Sequence, residues 1–294
     1  MNMMSDDRAA DGGSRDDVRV LRRLEVREGL TGEGDDRDAS VCAVVDVETT
    51  GLDLGSDAII QFAMRRFRFD GDGVITRIGA CHGFLEDPGR PIPPEISRLT
   101  GITDADVAGR SFPDVWIGSA LAGAAIVVSH NAAFDRKWVE RRFPRAAGLA
   151  WACSMEDVPW QARGFDGRKL GFLGVQCGFF YDAHRAEADV DAVVALLGHR
   201  FADDGRTAMS VMMENASADT WLVSAVGAAF EVKDRLRARG YRWNAVGRVW
   251  VREVRDDERL AEEFWLAAHV YSAEARPRCL GPRIERRTRW ERYA

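Results

Sequence analysis

The stretch from Val41 to Leu52, VCAVVDVETTGL, combines an apolar strand with two acidic side chains at its end. Its first half is short and rich in β-branched residues, which is typical of a strand buried on both faces. Asp46 and Glu48 stand two residues apart, so the alternation of a strand places both on one face of the sheet. Two like charges that leave water together are unfavourable unless a cation neutralises them, so the pattern predicts a metal site. A solvated strand end is the alternative.

The residues that follow predict alternating strands and helices. IIQFAMRRFRFD and VITRIGACHGFL have the pattern of two further strands, joined by a turn over residues 70–73. Short helices are expected around residues 94–100, 104 and 112–121, and AAIVVS is an apolar strand that leads into the amphipathic helix of NAAFDRKWVERRF. HRAEADVDAVVALLGHRF is typical of a later helix. These elements predict an α/β domain with a mixed sheet flanked by helices over residues 39–204.

The flanking regions differ in composition from this domain. Residues 1–38 are rich in Asp, Arg and Gly and predict a flexible charged segment, in which residues 18–26 could lie as a strand or helix against the domain. Residues 205–218 are low in bulky residues and are interpreted as a linker. Residues 219–294 predict a small α+β domain made of a strand, a helix, a hairpin and a second helix, with an Arg-rich tail from residue 276.

Charge is segregated along the 294-residue chain, whose formal net charge is −6. Residues 219–294 hold 16 basic and 12 acidic residues, which is +4 and leaves −10 on the rest. In this domain basic residues lie beside aromatic residues, an arrangement that suits single-stranded nucleic acid. The alternative is that the tryptophans belong to the core. The residues concerned are Lys233, Arg235, Arg237, Arg239, Arg242, Tyr241, Trp243 and Trp250.

Composition also narrows the cellular setting. No apolar run approaches the roughly 20 residues of a membrane span, and the charged N-terminal segment lacks the apolar stretch of a secretory signal. The five cysteines are odd in number and form no CxxC pair, which argues against a disulfide framework and a cysteine-based zinc site. A cytoplasmic protein without membrane insertion is expected.

Two further acids and one histidine extend the metal-site hypothesis. Asp135 follows the apolar strand at 125–129, and Asp189 lies in the late helix among apolar neighbours. Carboxylate oxygens at the ends or faces of core elements suit Mg²⁺ or Mn²⁺. His184 precedes Asp189 by five residues and is expected in the loop before the helix, where it could reach the same pocket and accept a proton at neutral pH.

Three segments together resemble a known family. Residues 46–52 (DVETTGL), 130–135 (HNAAFD) and 184–189 (HRAEAD) are similar in order and spacing to the three exonuclease motifs of the DEDDh, or DnaQ-like, 3′-to-5′ exonucleases. Residues 91–107 resemble the segment that these enzymes place near the terminal nucleotide. The tyrosine branch of that superfamily has a Tyr four residues before the last Asp, where this chain has Arg185, so the histidine branch is indicated. Gln61 departs from the Glu that relatives often have.

The resemblance, which covers about residues 41–200, implies a ribonuclease-H-like fold and a metal-dependent 3′-to-5′ exonuclease that releases nucleoside 5′-monophosphates. It implies two divalent cations, Mg²⁺ or Mn²⁺, held by Asp46, Glu48, Asp135 and Asp189, with His184 as the general base. Nucleic acid with a free 3′ end is the implied partner, with DNA favoured over RNA. The implied nucleotide contacts are Thr49, Thr50, Gly51, Leu52, Leu99, Asn131 and Phe134.

Two alternatives stay open at this point. The same chemistry would serve an exoribonuclease that trims RNA 3′ ends, because the preference depends on the pocket around the 2′ position. A nonenzymatic binding or scaffold module could also use this fold, and loss of an acidic ligand would favour it. All four acidic positions are present. Residues after about 218 are expected to increase substrate retention, while the catalytic pocket should not need them.

Overall fold

The computed structural model describes residues 19–279 and 281–294, so the prediction for residues 1–18 lies outside the described residues. Its strands form a six-stranded sheet, a four-stranded sheet and one two-stranded pair. The strands are β1 Arg22–Arg23, β2 Gly29–Leu30, β3 Ser40–Thr49, β4 Ile59–Phe69, β5 Ile75–Leu85, β6 Ile126–Ser129, β7 Trp151–Cys153, β8 Phe179–Phe180, β9 Thr220–Ser224, β10 Arg242–Asn244, β11 Val249–Arg255 and β12 Arg283–Arg287.

Helices connect these strands and cover the sheets. The helices are α1 Pro94–Thr100, α2 Asp104–Val107, α3 Asp114–Ala122, α4 Ala132–Arg142, α5 Leu170–Gln176, α6 Ala186–Gly198, α7 Ala208–Ser217, α8 Lys233–Ala238 and α9 Asp256–His269. The prediction of a mixed sheet flanked by helices is confirmed. β7, β12, α5 and α7 are elements that the sequence pattern did not indicate.

The large sheet has the strand order β2-β5-β4-β3-β6-β7. β3 lies antiparallel to β4 and parallel to β6, which in turn lies parallel to β7. Alternate residues of β3 enter different cores: Val44 packs with Val190 and Val193 of α6, whereas Val45 packs with Trp138 of α4. Helices therefore cover both faces of β3, which explains its continuous apolar sequence.

Two flanking regions depart from the sequence expectation. Within residues 19–38, β1 pairs in parallel with β8 and β2 pairs with β5, so this part of the N-terminal segment is held against the sheets. Residues 205–218 contain α7 where a linker was expected. Met209 and Met212 of α7 are buried in the same core as α6. Methionine is an adaptable core residue, and the sequence interpretation gave these two no weight as an apolar face.

The small sheet has the order β10-β11-β9-β12, with all neighbours antiparallel. Val223 and Val254 lie on one of its faces and pack with Leu236 of α8 and Leu266 of α9. The sequence analysis assigned no strand or helix to the Arg-rich tail, yet its residues 283–287 form β12. Alternate side chains of β12 can be charged because the other face of this sheet is not covered by α8 and α9.

The C-terminal residues connect the small-sheet domain to the α/β domain that contains the large sheet. The buried Arg136 guanidinium donates hydrogen bonds to the carbonyl oxygens of Trp290, at 2.8 Å, and of Arg292. Arg292 is itself buried and forms an ion pair with Asp157 at 2.6 Å. Both arginines leave water on docking, so the tail supplies partners for charged groups that lie inside the interface.

Among the described residues, no helix is both long and apolar enough to cross a membrane.

Candidate metal centre and nuclease site

Three acidic side chains converge where β3 ends. Asp46 and Glu48 share the face of β3 that α6 covers, and Asp189 lies in the first turn of α6. One carboxylate oxygen from each of these three residues lies within 4.8 Å of the others. The strand brings two of them to one face by alternation, and the packing of α6 across β3 supplies the third.

Asp135 belongs to the same region but not to that three-carboxylate group. It lies in the first turn of α4 and is 2% exposed. Its Oδ1 accepts a hydrogen bond from the backbone N–H of Val47 at 3.2 Å, between the two acids of the strand. Asp135 therefore ties α4 to the end of β3 and keeps its second oxygen for other contacts.

The electrostatics of this cluster favour a cation. Removal from water, with repulsion from Asp135 and then from Asp189 and Glu48, raises the pKa of Asp46 well above its ordinary value. Burial and the charge of Asp189 raise the pKa of Glu48 to about 7. Within residues 19–279 and 281–294, none of the four acids forms an ion pair with Lys or Arg. Hard oxygen donors without a basic partner fit Mg²⁺ or Mn²⁺.

His184 lies in the loop just before α6, as the sequence predicts, and it is exposed to solvent. Its backbone adopts a left-handed conformation with φ of 62°. This conformation is uncommon for a side chain other than glycine and costs roughly 1–2 kcal/mol. Burial raises the pKa of Asp189, and the nearby charge of His184 acts in the opposite direction. The imidazole therefore lies within electrostatic reach of the cluster.

Comparison with known proteins assigns this chain to a family. The model of the exonuclease family matches residues 43–197, which is more than half of the chain. The chain belongs to the exonuclease family. The prediction of a DnaQ-like exonuclease is thereby confirmed.

Three comparisons illustrate the likeness. The chain is 32% identical over 167 residues to the PolC-type DNA polymerase III of Listeria welshimeri, covering 54% of this chain and only 11% of the polymerase. It is 32% identical to ribonuclease T of Blochmanniella pennsylvanica, covering 49% of this chain and 75% of the relative. A structure of exonuclease I is 18% identical with a TM-score of 0.50, covering 86% of this chain and 63% of that chain, and shares the fold.

Asp189 has two hydrogen-bond donors that sequence reasoning missed. The Tyr181 hydroxyl donates to its Oδ1 at 2.9 Å, and the backbone N–H of Arg185 donates to its Oδ2 at 3.1 Å. Tyr181 lies eight residues before the acid, just after β8, and no motif spacing indicates that contact. Neutral donors of this kind hold a carboxylate in place without cancelling its charge.

Gln61 connects β4 to the start of α6. It lies opposite Glu48 in the register of β3 and β4. Its Nε2 donates to Glu187 at 2.7 Å, and its Oε1 accepts from the backbone N–H of Ala186 at 3.3 Å. Gln61 thus binds the N-terminal turn of α6, which carries Asp189. A glutamate at position 61 would face the Glu187 carboxylate, so the amide suits this chain.

The segment after Glu48 divides into buried and exposed residues. Thr49 donates to the carbonyl of Gly51 at 2.6 Å, and the buried Thr50 hydroxyl contacts Asp57 and Arg90. These hydroxyls shape the loop. Leu52 is 86% exposed and is free to contact a substrate.

The other three residues that the resemblance implies as nucleotide contacts lie on α1 and α4. Leu99 is half exposed on α1, and Asn131 precedes α4 with a left-handed backbone, φ 82°. Phe134 is partly buried and packs beside Trp138. The geometry leaves Leu99 and Asn131 accessible, whereas part of Phe134 belongs to the core.

The basic and aromatic residues that were expected to bind nucleic acid in the C-terminal domain divide into those whose side chains have partners within the domain and those that are exposed to solvent. Tyr241 is buried, and its hydroxyl donates to the buried Glu262 at 3.0 Å. Arg239 and Arg252 form ion pairs with the same carboxylate. These side chains stabilise the domain from inside. Arg242 has a side chain that is 71% exposed.

Proposed function

We propose that this protein is a metal-dependent exonuclease that removes nucleoside 5′-monophosphates from the 3′ ends of DNA, single-stranded or frayed. The observation that carries the proposal is the group of three carboxylates within 4.8 Å of one another, which has no Lys or Arg partner among the described residues. Such a group is unfavourable without cations.

Asp46, Glu48, Asp189 and Asp135 are the residues that would hold two divalent cations. Bound there, the cations would lower the pKa of a water molecule and stabilise the charge on the leaving oxygen. Asp135 supports α4 through its contact with Val47. Tyr181 and the backbone of Arg185 orient Asp189. The protein thus supplies fixed oxygen donors from one strand and two helices.

His184 acts as the general base in this proposal. Its ring is accessible to solvent and lies close enough to Asp189 for their charges to interact. A neutral imidazole accepts the proton of an attacking water through a ring nitrogen and then passes it to solvent. The left-handed backbone at this residue supports a positioned side chain, because strained conformations cluster at functional sites.

The choice between DNA and RNA rests on the relatives. A DNA polymerase III supports DNA, and ribonuclease T supports an exoribonuclease as the second candidate. Both candidates use the same carboxylates, and the contacts around the terminal sugar distinguish them. Exposed Leu52 and Leu99 are the nucleotide contacts that we propose for this pocket.

The decisive experiment gives the full-length protein 5′-labelled single-stranded DNA, duplex DNA and single-stranded RNA, with Mg²⁺ or Mn²⁺. We expect stepwise shortening of single-stranded DNA from its 3′ end, release of 5′-monophosphates, and no reaction in EDTA. A strand with a blocked 3′ end should resist. Faster shortening of RNA would select the second candidate.

A matched pair of variants controls for contaminating nucleases. Asp46→Asn removes a proposed ligand, while Asp72→Asn changes an exposed acid in the turn between β4 and β5. We expect digestion by the Asp72 variant and none by the Asp46 variant. Equal digestion by both, or internal cleavage of the blocked strand, would contradict the proposal.

A further inference from the structure

A cleft of about 840 Å³ lies between the exonuclease body and the small sheet. From the exonuclease side it is lined by Asn131, Ala133 and Lys137, at the start of α4, and by the loop that holds Arg168. From the other side it is lined by the face of the small sheet that α8 and α9 leave uncovered. The segments that follow β6 and β7 supply this wall, and both strands run parallel with β3, so the cleft opens at the same edge of the large sheet as the end of β3.

The lining of this cleft is basic although the whole chain is acidic. Eight basic and four acidic residues line it, against a net charge of −6 for the protein. The basic residues are Lys137, Arg168, Arg237, Arg242, Arg252, Arg255, Arg287 and Arg292. The acidic residues are Glu156, Asp157, Glu253 and Glu258.

Three of these cations keep their charge available. In the described part of the chain, Lys137 and Arg287 form no ion pair, and Arg242 has only a 3.4 Å contact between its exposed guanidinium and Glu156. Others are neutralised: Arg292 pairs with Asp157, and Arg252 with Glu262. The three available cations come from α4, β10 and β12, so they lie along both walls of the cleft.

We propose that this cleft holds the sugar-phosphate backbone of the nucleic-acid strand on the 5′ side of the nucleotide being removed. The inference rests on the proposed exonuclease function and adds the path of the strand to it. Lys137, Arg242 and Arg287 bind successive phosphates, while the 3′ end reaches the carboxylates beside Asp135. Contacts to phosphate carry no sequence information, so retention is independent of sequence.

The register of the small sheet places the tryptophans elsewhere. Trp243 pairs with Trp250, and Arg242 pairs with Val251, so the tryptophans lie on the face opposite Arg242. Trp250 packs against the domain core, and neither tryptophan lines the cleft. Charge therefore dominates binding in the cleft. This arrangement differs from the sequence hypothesis, in which arginines and aromatic rings share one binding surface.

The test measures binding of fluorescent 20-nucleotide DNA and RNA strands to the full-length protein in EDTA, where cleavage is absent. The test variant combines Lys137→Gln, Arg242→Gln and Arg287→Gln. A single-strand contact contributes a salt slope of roughly 0.7, so we expect affinity to fall about 100-fold near 0.1 M salt and the slope to fall by about 2. The affinity for a four-nucleotide strand should fall much less in the same variant.

The control variant removes the same charge from surfaces away from the cleft, with Arg235→Gln, Arg276→Gln and Arg278→Gln. These three arginines are exposed and do not line the cleft. We expect less than a threefold change in affinity. Circular dichroism and thermal unfolding of both triple variants check that each is folded, and the three single variants of the cleft provide the measurement if the triple variant is not.

Several outcomes would overturn the proposal. Equal affinity of the cleft and control variants would place the strand elsewhere, as would a larger loss with Trp243→Ala than with the cleft variant. Salt-dependent binding through the cleft by a protein that cleaves neither DNA nor RNA would refute the proposed function and leave the cleft assignment standing. Cleavage by the protein, together with unchanged strand binding in the cleft variant, would refute the cleft assignment and leave the proposed function standing. Comparison of the DNA and RNA strands identifies which backbone is preferred.

Discussion

Asp46 lies in β3 and Asp157 lies four residues after β7 of the same sheet, yet the two carboxylates have opposite electrostatic surroundings. Asp157 is buried beside Arg292 at 2.6 Å, and its Oδ2 accepts from the backbone N–H of Cys153. Asp46 is repelled by four acids, Asp135, Asp189, Glu48 and Glu187, and forms no ion pair with an arginine in the part of the chain that the structure describes. Asp157 joins the α/β domain to the C-terminal domain, whereas Asp46 has no basic side chain among the described residues to balance its charge. The two carboxylates therefore differ mainly in the charge of their neighbouring side chains and less in their burial.

The same contrast extends to the hydrogen bonds. Acids of the proposed metal centre receive neutral donors, such as the Tyr181 hydroxyl on Asp189 and the backbone N–H of Val47 on Asp135. Glu262, inside the C-terminal domain, receives a tyrosine and two arginines. Neutral donors orient a carboxylate and leave its charge for a ligand, whereas arginines consume that charge.

The largest expected effect is that of Asp46→Asn on cleavage. Metal catalysis supplies several kcal/mol and each 1.36 kcal/mol is tenfold, so we expect a fall of at least about 10³-fold. Because the substitution removes a like charge, it should not destabilise the metal-free protein. Rates and thermal unfolding in EDTA check both statements. Mg²⁺ should raise the melting temperature of the unmodified protein more than that of the variant.

Two other results for Asp46→Asn would contradict the contrast drawn between Asp46 and Asp157. If Asp46→Asn unfolded the metal-free protein, the carboxylate would have a structural partner, as Asp157 does. Near-normal cleavage at ordinary metal concentrations would remove Asp46 from the metal centre.

The second effect concerns His184, the proposed general base. His184→Asn removes the imidazole, and asparagine tolerates the left-handed backbone of this position better than alanine. We expect cleavage to slow by roughly 10² to 10⁴-fold with metal binding mostly retained. Raising the pH should restore part of the rate, because hydroxide needs no base. Rates across a pH series, measured at saturating metal, test this. Full recovery by excess metal alone would make His184 a ligand or an orienting residue.

The third effect is on stability. Arg292→Met leaves the buried Asp157 charge unpaired, and breaking a buried pair costs about 3–5 kcal/mol. Urea unfolding should show this loss, and addition of Asp157→Asn should recover much of it. No such rescue exists for Asp46, whose neighbours are acids. An unchanged midpoint in Arg292→Met would show that the pair is not part of the interface in solution.

This interface also changes the expectation for truncation. The sequence predicted that a protein ending near Ala218 keeps its catalytic pocket. That protein would lose Trp290 and Arg292, whose carbonyls bind the buried Arg136 next to Asp135. The composition of the Arg-rich tail did not indicate docking, because charged side chains are rarely buried. Only the fold brings Arg136 and Asp157 to the place where the tail meets them.

By contrast, the proposed metal centre at the end of β3 was predictable from local patterns. The apolar run before Asp46 indicates β3, and alternation places Glu48 beside Asp46. Helix periodicity indicates α6 and hence Asp189. Tyr181 and Gln61 were not predicted as contacts, because their partners come from packing between β4, β8 and α6. Such contacts depend on how separate strands and helices pack together, and a short sequence motif does not indicate that packing.

The smallest expected effect comes from two tyrosines, one that orients a carboxylate of the proposed metal centre and one that stabilises the C-terminal domain. Tyr181→Phe removes the hydroxyl that donates to Asp189, and Tyr241→Phe removes one that donates to Glu262. A hydrogen bond to a charged group contributes about 1.5–3 kcal/mol. We expect Tyr181→Phe to raise the Mg²⁺ concentration for half-maximal cleavage roughly tenfold, because Asp189 is less well held. Tyr241→Phe should instead lower the urea midpoint and leave the metal requirement unchanged. Equal metal dependence in both variants would show that Asp189 is oriented by α6 and the Arg185 backbone alone, and the neutral-donor distinction would then not apply to this carboxylate.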